Sequence, residues 1–189
     1  MLNIAPWILS DGGSLDVDNC PDCWERRAHI ERYQFACNAL TGMRVLDFGC
    51  GVGYGSEILL QANNHVTAVD MSDTALRLAR SRRGHLGPRL VFTEPHWKFD
   101  PFDACAAFEV IEHLDDPKEF VETVNARHLI ASVPVVPTVG FNPHHKSDFT
   151  VESFRSLLCS RFDVRHWWIQ VLPFHSDPYV AVFHGEARY

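Results

Sequence analysis

The stretch RVLDFGCGVGYGSEILL, from Arg44 to Leu60, constrains the fold more than any other part of the chain. An apolar run of strand length passes through glycines at positions 49, 51 and 53 directly into a helical spacing. Together these describe a strand, a tight turn and a helix. Such a turn brings the backbone close to a ligand and aims helix amides at negative groups. The spacing excludes two common occupants. A dinucleotide turn needs G-x-G-x-x-G or its alanine-ended form, but the sixth position is Tyr54 counted from Gly49 and Ser56 counted from Gly51. A phosphate-binding P-loop needs Gly-Lys-Ser/Thr, which does not follow here.

The acids around the turn are more informative. Asp47 sits inside the strand end, where a carboxylate would repel a pyrophosphate but suits a ligand carrying an ammonium and a sulfonium. Asp70 closes the next apolar run, HVTAVD, where a carboxylate accepts ribose hydroxyls that carry no 2′-phosphate. Two acids and three glycines in this order describe a site for S-adenosylmethionine.

The rest of the chain alternates in the same manner. A helix is expected over 24–40, strands at MRVLDF, HVTAVD, RLVFT, FDACAAF and ARHLIASVP, and helices at SEILLQA, TALRLARSRR, DPKEFVETV and TVESFRSLLC. Ser72 or Asp73, Asp116 with Pro117 and Glu119, and Thr150 are the expected helix starts. Two consecutive strands, FDVRHWWIQ and YVAVFHG, close the series. The pattern predicts an α/β fold: a Rossmann-like doubly wound sheet of about seven strands with a C-terminal antiparallel hairpin and helices on both faces. One domain over 1–189 is expected, with residues 1–40 as a helical lead-in and cap.

In these motifs the chain resembles the class I S-adenosylmethionine-dependent methyltransferases. VLDFGCGVGYGS is similar to their first motif, AVDMSDTALRLAR to the acidic second strand and its helix, FDACAAFEVIEHLDDPKEF to the fourth-strand motif, and NPHHKSDFTVESFRSLL to the loop and helix before the hairpin. The resemblance implies that Asp47, Gly49, Gly51 and Gly53 line the methionine end, with Tyr33 capping the carboxylate. It places Asp70 and Met71 at the ribose and adenine, and Phe108 and Glu109 on the sulfonium side. The segment FTEPHW departs from the family's acid after the third strand, with Glu94 as the substitute.

An acid–histidine group follows the fourth strand. If 109–113 forms a helical turn, Glu109, Glu112 and His113 point the same way, and a later loop adds His144 and His145 with Lys146 and Asp148. Two roles compete. His113 or His145, with Glu112 nearby, takes the proton of an acceptor during methyl transfer. Alternatively Glu109, Glu112, His113 and His145 hold a divalent cation, a pattern similar to the small-RNA 3′-terminal 2′-O-methyltransferases. A non-catalytic cofactor-binding or accessory protein is the third expectation; RHWWIQVLPFH would then be a docking face, although a strand with Trp167 and Trp168 buried in the core is the favoured reading of that stretch.

Composition narrows the partners. The formal charge of −7 gives no general attraction to nucleic acid, although it does not forbid a local basic patch. RLARSRR, Arg77 to Arg83, reads as the solvated basic end of a helix. CPDC, Cys20 to Cys23, is half a zinc site that His29 and Cys37 would have to complete. The opening MLNIAPWILSDGG lacks a basic region and is broken by Pro6, so a cytoplasmic protein acting on a small molecule, without a membrane segment, is expected.

Overall fold

The computed structural model describes residues 9, 15–94, 101–171 and 178–188. It forms two compact units, residues 1–98 and 99–189.

The first unit begins with α1 (Trp24–Ala39) and continues through β1 (Arg44–Phe48), α2 (Tyr54–Leu60), β2 (His65–Val69), α3 (Asp73–Arg83) and β3 (Leu90–Thr93). Its strands run parallel in the order β3-β2-β1, with Phe48 beside Val69 and Val66 beside Leu90. Val45, Leu46, Val66, Ala68 and Val69 are buried from the sheet, and Leu59, Leu76 and Ala79 from the helices. Ser72 caps α3 by accepting the Ala75 amide at 3.0 Å. Asn64 fastens the turns on either side: its Nδ2 donates to the carbonyls of Leu40 and Leu59, and its Oδ1 accepts the Met43 amide.

Arg77 and Arg80 of α3 are exposed as a solvated face would be, but Arg82 and Arg83 are not. Arg83 is only 6 % exposed. Its guanidinium donates to Asp18 at 2.7 and 2.9 Å, to Glu57 at 2.9 Å and to the Val52 carbonyl at 3.0 Å. Arg82 pairs with Asp16 and Asp18. The sequence expectation is therefore corrected at the last two residues: Arg82 and Arg83 strap residues 16–18 onto α3, because two acids from the amino-terminal segment reach them. Among the described residues no third ligand atom joins the Cys20 and Cys23 sulfurs, which lie 3.2 Å apart, and His29 Nδ1 lies 2.9 Å from the Tyr54 hydroxyl oxygen.

The second unit contains β4 (Phe102–Phe108), α4 (Pro117–Thr123), β5 (Ala126–Pro134), α5 (Val151–Cys159), β6 (Phe162–Val171) and β7 (Pro178–Ala187). The order is β4-β5-β7-β6, with β4 and β5 parallel and β7 antiparallel to both of its neighbours. Ala104 to Phe108 and Leu129 to Val133 are buried without alternation, as parallel strands covered on both faces require. Asp116 caps α4 through the Lys118 and Glu119 amides, and Thr150 forms a capping box with Ser153 on α5.

The expected Rossmann-like class with its C-terminal antiparallel pair is thus present. Trp167 is half-buried rather than buried, packing against Phe154 and Phe183, and Trp168 is half-buried too. Register shifts interrupt β6 between Val164 and His166 and between Gln170 and Val171.

Candidate functional site

Asp47 occupies the fourth position of β1 and has 0 % exposure. Both its oxygens are engaged: the Tyr33 hydroxyl donates to one at 2.8 Å and the Ser56 hydroxyl to the other at 2.5 Å. Burial pushes its carboxyl up to about 6, opposed by these two hydrogen bonds and reinforced by the charge of Asp70. The carboxylate is therefore held between Tyr33 of α1 and Ser56 of α2.

The turn is anchored to the end of β2. Gly49 and Cys50 donate their amides to the Val69 carbonyl, each at 2.9 Å, and Gly51 donates to Asp70 Oδ2 at 2.8 Å. Asp70 Oδ1 accepts the Ser72 amide at 2.8 Å. A carboxylate has about four acceptor sites, so Asp70 can take hydroxyls alongside these amides. Gly49, Gly51 and Gly53 all have left-handed φ, at 77°, 53° and 81°. Gly53 is the position where this matters most: it caps α2, and a Cβ there would lie 2.7 Å from the Phe92 ring.

Two residues here escaped the sequence reading. Ser56 is the second anchor of Asp47. Gly55 has room for no side chain, since a Cβ would meet the Tyr33 ring at 2.1 Å. Its absence lets Tyr33 reach Asp47. Met71, next to Asp70, is 86 % exposed and offers an apolar surface. Glu94 is exposed, and Pro95, His96 and Trp97 lie outside the described residues.

In the second unit, β4 ends at the buried Phe108, and the chain breaks direction at Glu109, whose φ of 53° is unusual for a residue with a side chain. The Glu109 amide donates to the Ser132 carbonyl at 3.0 Å, and the Ser132 hydroxyl donates to Glu109 Oε1 at 2.7 Å. No single helical turn spans 109–113; a short 3-10 turn covers Ile111–His113. The expected set of four is corrected accordingly. Glu112, His113 and His145 bring ligand atoms within 4.8 Å of one another, while Glu109, turned by its left-handed backbone onto Ser132, does not join them.

Glu112 is 1 % exposed, and its carbonyl accepts the amides of Lys146 and Ser147, which docks the histidine loop. His113 and His145 meet edge to face with centroids 4.6 Å apart. His113 Nδ1 lies 3.0 Å from the His144 carbonyl, and His145 Nδ1 lies 2.7 Å from Thr138 Oγ1. Burial first, then the neighbouring His145, pushes His113 down to about 4, and burial also lowers His145. Both rings are neutral at neutral pH, as a proton acceptor or metal ligand must be. Thr138, whose partner lies seven residues away, left no signal in the sequence.

Residues 46–131 match a family model described as a methyltransferase domain. A ubiquinone biosynthesis O-methyltransferase of Xylella fastidiosa is 37 % identical over 93 residues, covering 44 % of this chain and 36 % of that protein. A probable S-adenosylmethionine-dependent methyltransferase of Mycobacterium tuberculosis is 31 % identical over 160 residues, covering 76 % of this chain and 56 % of that protein. The chain thus spans about a third to a little over half of these relatives. Among solved structures, the N-methyltransferase NodS of Bradyrhizobium japonicum, in complex with S-adenosylhomocysteine, superposes with a TM-score of 0.73 at 16 % identity, over 97 % of this chain and 95 % of that one.

Proposed function

We propose that this chain is a class I S-adenosylmethionine-dependent methyltransferase that transfers a methyl group from S-adenosylmethionine to an oxygen or nitrogen of a small or medium-sized acceptor, a reading supported by the matching methyltransferase-domain model and relatives. The observation that carries this is the glycine turn bonded through Gly51 to Asp70, following the buried Asp47. The residues fit the cosubstrate. Asp70 accepts the ribose hydroxyls, Met71 lies against the purine, and the Asp47 carboxylate supplies negative potential to a cationic ligand. Tyr33 serves by holding Asp47, and Phe108 and Glu109 are assigned to the same cosubstrate. Residues 1–189 act as one methyltransferase domain, with 1–40 as its lead-in and cap. The six free cysteines suit the cytoplasm.

When bound, S-adenosylmethionine supplies a methyl group on a sulfonium that leaves as a neutral thioether. Much of the catalysis then consists of holding the acceptor atom in line. Either His113 or His145, both neutral, takes the acceptor's single proton, and the buried Glu112 supports the developing imidazolium. Calorimetry with S-adenosylhomocysteine tests the cosubstrate: binding is expected, and Asp70→Ala is expected to weaken it by at least about tenfold, the loss of charge-assisted hydrogen bonds. Unchanged affinity in that variant would remove the basis of the assignment.

The Glu112–His113–His145 grouping supports a second reading, a divalent-metal-dependent 2′-O-methyltransferase of RNA 3′ ends. One carboxylate and two imidazoles are a donor set that suits a borderline divalent ion, which would polarise vicinal hydroxyls. The charge of −7 weighs against RNA. Activity that survives chelator treatment and the Glu112→Ala substitution would eliminate this reading.

A further inference from the structure

The loop that carries His145 contains a chain of hydrogen bonds with a fixed direction. Asp148 Oδ1 accepts the amides of Thr138 at 2.6 Å and Val139 at 2.9 Å, and lies 3.2 Å from the Thr138 hydroxyl oxygen. That same hydroxyl oxygen lies 2.7 Å from His145 Nδ1. A carboxylate at neutral pH only accepts, so without a proton between them the hydroxyl and carboxylate oxygens would repel at this distance. The Thr138 proton therefore points to Asp148. The hydroxyl oxygen is left as an acceptor, and the His145 nitrogen facing it must be the donor.

We propose that Asp148 and Thr138 are positioning residues that hold His145 in the Nδ1-protonated tautomer, leaving the lone pair on Nε2 for the acceptor substrate. This rests on the methyltransferase role proposed above. His113 shows the same logic independently: its Nδ1 faces the His144 carbonyl, which can only accept, so its lone pair is on Nε2 as well. The two rings lie edge to face with centroids 4.6 Å apart. The loop is built to keep this geometry. Phe141 and Asn142 donate their amides to the Thr138 carbonyl, the His145 amide donates to the Asn142 carbonyl, and Lys146 and Ser147 donate theirs to the Glu112 carbonyl. Phe141 joins this frame through its backbone, while its side chain is 77 % exposed.

The test needs no substrate for its first arm. Long-range 1H–15N spectra of protein labelled at histidine report which ring nitrogen bears the proton, and the His145 signals are identified by their loss in His145→Gln. An unprotonated Nε2 is expected in the unaltered chain. Thr138→Val should move His145 toward the Nε2-protonated form that imidazoles prefer in water, and Thr138→Ser should restore the original spectrum. Asp148→Asn, which keeps the loop's size, should produce a mixture of tautomers.

In the second arm, with an acceptor in hand, Thr138→Val should lower kcat by about ten- to a hundredfold, the usual effect of losing the partner that orients a functional histidine. KM for the methyl donor should not change. An Nε2-protonated His145 in the unaltered chain overturns the proposal, as does a kcat unaffected by Thr138→Val. Failure of S-adenosylhomocysteine to bind would instead overturn the methyltransferase role while leaving the tautomer result standing.

Discussion

Gly55 offers a sharp test because local propensity and packing pull in opposite directions there. It lies in the first turn of α2, where replacing glycine by alanine ordinarily stabilises a helix by about 1 kcal/mol. Here the added Cβ would stand 2.1 to 2.3 Å from three carbons of the Tyr33 ring. Carbon atoms in contact sit about 3.5–4.0 Å apart, so the ring must move by more than 1 Å. Overpacking of this kind costs about 1–3 kcal/mol. Displacing the ring also breaks the Tyr33–Asp47 hydrogen bond, worth about 1–3 kcal/mol.

Gly55→Ala is therefore expected to destabilise by about 1–5 kcal/mol, after allowing for the helix gain. In a Tyr33→Ala background the obstacle is gone, and the same substitution should stabilise by about 1 kcal/mol. Urea unfolding of the four proteins gives the coupling energy directly. A stabilising Gly55→Ala in the unaltered chain, or a coupling within about 0.5 kcal/mol of zero, would refute the placement of Tyr33 across the helix.

Other outcomes follow from the charges. The Asp47 carboxyl is raised from 3.8 to about 6, so ionising it opposes folding; the benefit of the protonated form is full below 3.8 and is lost as pH rises through 6, about 3 kcal/mol in all. Asp47→Asn should flatten this part of the stability profile, and parallel profiles of the two proteins between pH 3.8 and 6 would be the contrary result. His145→Ala should lower turnover by about a hundredfold or more with donor affinity retained. The acid limb of kcat should lie below the ordinary histidine range, since both His113 and His145 are lowered; a limb centred at 6.5 or higher would contradict this. Burial and the neighbouring His128 and His166 hold His184 down to about 4. Its contribution to stability is present above 6.5 and lost as pH falls toward 4, a loss that His184→Gln should abolish in urea titrations. Asp18→Ala leaves the buried Arg83 short of a partner and should cost about 1–3 kcal/mol by urea unfolding, whereas an unchanged midpoint would mean the strap is idle.

Features set by neighbours in the chain were the legible ones. Ser72, Asp116 and Thr150 cap helices as their spacing announced, and β5 occupies the apolar run ARHLIASVP as expected. The alternate glycines also dictate their own backbone, since three left-handed residues in five leave few other choices. What escaped depends on groups far apart in sequence. Arg83 and Asp18 are 65 positions apart, and nothing near either predicts the other. Glu109 looked like the start of a helical turn because its left-handed backbone has no marker in a side chain. Trp167 and Trp168 read as core because strand hydrophobicity does not tell an outer strand from a central one. The site was legible as a set of residue types, but which of them meet was decided by loop hydrogen bonds.

The interruptions in β6 have a bearing on solubility. This strand closes the second unit's sheet, so one of its sides carries backbone groups that another chain's strand could pair with. Two register shifts distort that side, and Asp163, Arg165 and His166 stand exposed along it. Arg165 is paired with Glu186, and Asp163 with Arg188. The charges and the irregular backbone make the strand a poor template for intermolecular sheet growth. Substitutions that straighten it or replace these charges with β-branched apolar residues would leave the pairing within the molecule intact while turning its outer strand into a site of self-association.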